Sequence, residues 1–146
     1  MIPGAMSEIN VILADLLAGT DASRVTLRQD EPGDYAFPVT HESLAPGVSS
    51  LRQERTVDLR TQPVVALLRV GGQVVQDDTR AAFPDPEFQQ MLDTYGGLAA
   101  QIVTPIFRDE RLAAIVSLHQ LGEPRRWTPD EVAAASLATE RVGELL

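Results

Sequence analysis

In "SEINVILADLLAG" the apolar residues Ile9, Ile12, Leu13, Leu16 and Leu17 fall three and four apart. That spacing predicts an amphipathic first helix, with Ser7 as its cap and Gly19 as its stop. The period then drops to two. In "ASRVTLRQ", Val25 and Leu27 alternate with Arg24, Thr26 and Arg28, as in a half-buried strand. "DEPGD" turns the chain into a second alternating run, "YAFPVTHE", with Tyr35, Phe37, Val39 and His41 on one face, so a hairpin is the economical reading. Loop follows, with a short helix around Leu51. "TQPVVALLRVGG" predicts a helix capped by Thr61, with Pro63 in its first turn, Val64, Leu67 and Leu68 on one face, and Gly71-Gly72 ending it.

"QVVQDDT" reads as a strand. "DPEFQQMLDTYGG" repeats the helix pattern, with Asp85 as cap, Pro86 behind it, and Phe88, Met91, Leu92 and Tyr95 in one stripe. Two long strands, "LAAQIVTPIF" and "RLAAIVSLH", flank the charged turn "RDER". "TPDEVAAASLATERVGELL" then opens with Thr128, Pro129 and Glu131 in the order of a capping box. Its small-residue stripe, Ala134, Leu137, Ala138, Val142 and Leu145, lets another helix approach closely. Hairpins at both ends of this order predict an α+β fold: an antiparallel or mixed sheet with helices collected mainly on one face.

At 146 residues the chain suits one domain. "MIPGA" ahead of Met6 reads as an appended remnant, leaving residues 6–146 as that domain. No run approaches the ~20 apolar residues of a membrane span, and no signal peptide is visible, which predicts a cytoplasmic protein. A net charge of −9 without a basic cluster argues against nucleic acid and anionic membranes as partners. Cysteine and lysine are both absent. Thiol nucleophiles, disulfides, thiolate metal sites, Schiff bases and the phosphate-binding P-loop go with them. No "G-x-S-x-G" or "H-E-x-x-H" is present, and nothing sets a serine and an acid beside either histidine, so no enzyme is expected.

The segment "YGGLAAQIVTPIFRDERLAAIVSLHQLGEPRRWTPDEVAAASLATERV", with "VVQDDTRAAFPDPEF" before it, resembles a GAF domain, and its C-terminal part resembles phytochrome-like GAF sensors. The resemblance implies a five- or six-stranded sheet with terminal helices on one face and loops and short helices covering a small-molecule pocket on the other. It further implies a sensor that dimerises through its terminal helices and signals to a downstream protein. Family members bind cyclic nucleotides, linear tetrapyrroles, haem or small organic effectors. Without cysteine a covalently attached bilin is excluded, as is the family's sulfoxide-reductase chemistry. The lysine-bearing cyclic-nucleotide signature cannot be formed either.

Alternation along "RLAAIVSLH" separates Leu112, Ala114, Val116 and Leu118 from Ala113, Ile115, Ser117 and His119. By the resemblance the second face looks into the pocket. Ser117 and His119 are therefore candidate ligand contacts, although a strand-end histidine bonded to a loop fits the same pattern. Asp77, Asp78 and Arg80 form a polar cluster after a strand, suited to a polar or anionic head group, and equally to a loop in which the acids accept backbone N–H bonds. Tyr95 is a candidate roof residue. His41 is expected at the surface or bonded to a loop, and Trp127 beneath the last helix with Arg125 and Arg126 toward solvent or acids. The leading expectation is a sensor that binds a small organic effector non-covalently. A dimerising interaction module with a closed pocket is the alternative, and a non-covalent haem sensor a weaker one.

Overall fold

The computed structural model describes residues 3–146. Helix α1 (Pro3–Thr20) is followed by β1 (Arg24–Gln29) and β2 (Val39–Leu44), then by α2 (Pro63–Gly71), β3 (Val74–Gln76), α3 (Pro86–Thr94), β4 (Leu98–Arg108), β5 (Arg111–Leu121) and α4 (Pro129–Leu145). The five strands form one sheet in the order β2-β1-β5-β4-β3, and every pairing is antiparallel. Single 3-10 turns at Leu59–Thr61 and Thr79–Ala81 precede α2 and α3.

The sheet separates two apolar layers. On one face α1 and α4 bury Ile9, Leu13, Ala135 and Val142 against Val25, Leu27, Ile102, Val116 and Leu118. On the other, α2 and α3 bury Val65, Leu68, Phe88 and Leu92 against Val103 and Ile115. Each face of a central strand thus meets a helical layer, which removes water from both sides of β1 and β5.

Local chemistry explains where elements begin and end. Proline occupies the first turn of α2, α3 and α4, where its missing N–H is no loss. Thr128 and Glu131 form the reciprocal capping box at α4. At α2 the cap is Gln62 rather than Thr61, because Thr61 closes the preceding 3-10 turn; Asp85 at α3 makes no side-chain cap bond. The β4–β5 hairpin turns at Asp109 and Glu110, both at positive φ, the twist-matched geometry of a two-residue hairpin.

Several expectations are corrected. The second alternating run begins as a turn, and its strand starts only at Val39, with Phe37 at φ +47. The helix expected near Leu51 is a turn. Helix α1 starts before Ser7, at Pro3, so Ser7 is not its cap, while residues 1 and 2 lie outside the described residues. Leu112 belongs to the α2–α3 layer because Ala113 is an extra residue in β5: Ile106 pairs with Ala114 but Phe107 with Leu112. Leu67 is exposed and Val65 buried in its place. In α4 the buried stripe is Ala135, Ala138, Thr139 and Val142, leaving Ala134 and Leu137 exposed. His41 is buried, not at the surface, because β2 lies beneath the first helix.

Candidate functional site

Strand register brings polar side chains together on the α2–α3 face of the sheet. Arg24 of β1 lies opposite His119 of β5, His119 opposite Gln101 of β4, and Gln101 opposite Gln76 of β3. One row therefore crosses four strands. A second row places Thr26 beside Ser117 and Ser117 beside Val103. Alternation predicts Arg24, Thr26 and Arg28 on the polar side of a half-buried strand; in the fold they are at most 4% exposed.

The arginines are held by neutral acceptors. Arg24 donates from Nε to His119 Nδ1 (3.1 Å), from Nη1 to the Ser49 carbonyl (3.0 Å) and from Nη2 to the Tyr95 carbonyl (2.8 Å). Arg28 donates from Nη1 to the Ala36 and Phe37 carbonyls and from Nη2 to the Tyr95 hydroxyl (3.2 Å). Its guanidinium lies 5.5 Å from the Tyr95 ring centroid, within cation–π range. Tyr95 in turn stacks on His119, with centroids 6.2 Å apart.

Electrostatics follow from this burial. Because Nδ1 accepts from Arg24, the neutral His119 ring carries its proton on Nε2. Burial, and then the charges of Arg24 and Arg28, hold the His119 pKa well below its ordinary value. Desolvation lowers the Arg24 pKa to about 10, with nearby Glu42 opposing and Arg28 adding to the shift. Burial raises the Tyr95 phenol above its usual value.

Between this floor and the helices lies a cavity of about 40 Å3, walled by Arg28, Gln101, Ser117 and His119 from the sheet, Gln62, Val65 and Leu68 from α2 and its cap, and Met91 and Tyr95 from α3 and its end. Gln62 is buried, and its Oε1 has no hydrogen-bond partner. Two larger depressions adjoin. A groove of about 570 Å3 between residues 56–62 and α3 shares Gln62 and Met91 with the cavity. A cleft of about 300 Å3 shares Tyr95 and is lined by Arg24, Ser49 and Glu54.

Of the residues singled out from the sequence, Tyr95, Ser117 and His119 line this cavity. Asp77, Asp78 and Arg80 do not. Asp77 accepts the Trp127 backbone N–H on Oδ1 and the Arg125 N–H on its carbonyl, tying β3 to the start of α4. Asp78 is exposed, and Arg80 pairs with Asp93 and bonds Gln89 on the outer face of α3. Trp127 is buried on the α1–α4 side and donates to the Gln76 carbonyl, while Arg125 stacks on it and pairs with Glu131. Arg24, Arg28, Gln62 and Gln101 went unrecognised. The one available signal was the i, i+2, i+4 spacing of Arg24, Thr26 and Arg28, which fixes a shared face but not what covers it.

The cavity as it stands is far below the ~300 Å3 of an ordinary ligand pocket, and with no cysteine in the chain a tetrapyrrole cannot be held here by a thioether. Among the described residues, no group of three or more His, Asp or Glu side chains is placed to hold a metal ion.

The family model described as GAF domain matches residues 8–146. The fold is similar to the GAF domain of the cyanobacteriochrome TePixJ, at 20% identity and a TM-score of 0.77 over 95% of this chain and 86% of that one. It is also similar to GAF3 from Slr1393 of Synechocystis sp. PCC6803 in its photoproduct state, at 20% identity and a TM-score of 0.72 over 97% and 90%. A third likeness is to a phycoerythrobilin-bound GAF domain from a cyanobacterial phytochrome, at 18% identity and a TM-score of 0.79 over 98% and 85%. At these identities the likeness shows the fold. No curated protein matches the chain in sequence.

Proposed function

The chain belongs to the GAF domain family, and from that premise we propose that it is a non-enzymatic sensory module that binds a small organic effector non-covalently between the sheet and α2–α3. One observation carries this reading: where the α2–α3 layer should be a plain apolar core, Arg28, Gln62, Gln101, Ser117 and His119 converge on a cavity. Burying polar groups without full compensation costs free energy, and Gln62 Oε1 is left without a partner. A core kept only for stability gains nothing from that lining.

The cavity of about 40 Å3 is then the closed form of the site. Gln62 and Met91 form the partition between it and the groove of about 570 Å3. Turning those two side chains aside would join the spaces and admit a ligand body, and a ligand that prefers the joined form shifts the balance between the two. The signal would pass through movement of α2 and α3 over the sheet to the terminal helices and a partner protein in the cytoplasm.

Thermal unfolding of the purified protein against a broad metabolite panel tests this. A true effector at about 100 times its Kd adds roughly 2.7 kcal/mol, a rise of several degrees in Tm. If no panel member moves the transition, ligand sensing is refuted.

The small cavity favours a second reading, a module whose pocket has closed and which acts by self-association. Val11 and Leu137, 55% and 58% exposed, lie on the outer faces of α1 and α4, with a shallow depression between the helices lined by Ile12, Leu16, Ala134 and Leu137.

A further inference from the structure

The two arginines in the interior differ from those outside in how their charge is met. Of the ten arginines outside the interior, Arg69, Arg108, Arg126 and Arg141 are exposed to water, which screens their charge. Arg52, Arg55, Arg60, Arg80, Arg111 and Arg125 each lie within 4 Å of a carboxylate. Arg24 and Arg28, both almost fully buried, form no such ion pair among the described residues. The chain carries 21 acidic residues against 12 basic ones, so this is not for want of carboxylates. Glu42, whose charge reaches Arg24, is turned to the neighbouring loop: it accepts from the Ser50 hydroxyl and the Leu51 N–H and pairs with Arg52.

Neutral carbonyls satisfy guanidinium N–H groups but do not cancel their charge. Two cations taken out of water beside a neutral imidazole make the interior positive, and a charge so placed is expensive unless it meets its opposite. We propose that the missing counter-charge belongs to the ligand: the site takes the carboxylate head of a small organic acid, with Arg28 as the cation in the cavity wall and Arg24, behind His119 and lining the adjoining cleft, adding to the positive field. This rests on the ligand-binding reading above and names the ligand's chemistry. A planar carboxylate matches the edge of a guanidinium, and the cavity has space for a head group rather than a whole molecule. Leu59, Val65, Leu68 and Met91 offer the apolar wall along which a hydrocarbon body would run toward the outer groove. Gln62 Oε1, lacking a donor, would accept from a hydroxyl or amine on that body.

Matched compounds test the charge directly. Benzoate and hexanoate, with benzamide, benzylamine and hexanol as counterparts, are titrated into the intact protein by calorimetry and followed by thermal shift. The acids are expected to bind, and the neutral amide and alcohol and the cationic amine to bind about tenfold or more weakly, as loss of a charge-assisted contact requires. Arg28→Gln, which keeps a donor but no charge, is expected to erase the preference for acid; circular dichroism establishes that the variant is folded, and the wild-type comparison stands without it. Amide or amine binding as tight as the acid, or a folded Arg28→Gln that still prefers acid, overturns the charge assignment. If neutral members of the metabolite panel bind while no acid does, the assignment falls and the sensor reading survives. If nothing binds, both fall.

Discussion

His119 illustrates how a neighbour decides a residue's chemistry. Arg24 donates to its Nδ1 and burial excludes water, so the ring stays neutral in the fold. Its pKa is depressed well below the 6.5 of an unperturbed histidine, so below pH 6.5 the unfolded chain binds the proton more readily. Stability from this residue is complete above about pH 6.5 and falls as pH drops toward the folded-state pKa, at up to about 1.4 kcal/mol per pH unit. His41, lowered by burial and then by Arg52, acts with the same sign. Gln at position 119 keeps an acceptor for Arg24 but cannot titrate. Urea unfolding of His119→Gln between pH 5 and 7 should therefore show a shallower pH dependence than wild type, by up to one proton; identical slopes would mean that His119 is not the buried neutral group described. Tyr95, Ser117 and His119 could be assembled from the sequence because strand alternation and helix spacing orient them. Arg24 and Arg28 could not, because an alternating arginine reads as solvent-facing until something is known to lie over it.

The elements obey local rules to different degrees. Helix α4 begins where Thr128, Pro129 and Glu131 say it should, since each satisfies or dispenses with a backbone N–H within a few residues. Replacing Thr128 by Ala removes that acceptor and should cost about 1 kcal/mol, lowering Tm by roughly 2–4 °C; an unchanged Tm by scanning calorimetry would show that the cap adds nothing there. The phase of each helix was less legible. Both Leu67 and Leu137 continue an apolar stripe in sequence, yet both face outward, because the neighbouring layer covers only the adjacent part of the helix. Leu112 is a similar case. A single extra residue at Ala113 turns it to the opposite face, and nothing in "RLAAIVSLH" marks the bulge.

At the scale of the molecule, the order of elements predicts helices mainly on one face, whereas the sheet carries α1 and α4 on one face and α2 and α3 on the other, and the outer surface of the α1–α4 layer keeps Val11 and Leu137 in contact with solvent. Self-association through this layer predicts a mass of twice the chain by light scattering, and Leu137→Glu should return the protein to single-chain mass by placing like charges across the contact. A wild-type protein of single-chain mass at high concentration would remove the self-association reading.

Composition, periodicity and capping chemistry by themselves determined the helices, the strands, their hairpins and the absence of any thiol-linked cofactor, since each depends on residues close together along the chain or on a residue type being absent. Tertiary structure alone decided which face of each strand is covered, and by what. The cavity, the row from Arg24 through His119 to Gln76, and two buried cations without a carboxylate arise from pairing between residues 18 to 95 apart along the chain. A local pattern carries no record of such distant neighbours, and the energetic meaning of an arginine depends on whether they leave it in water.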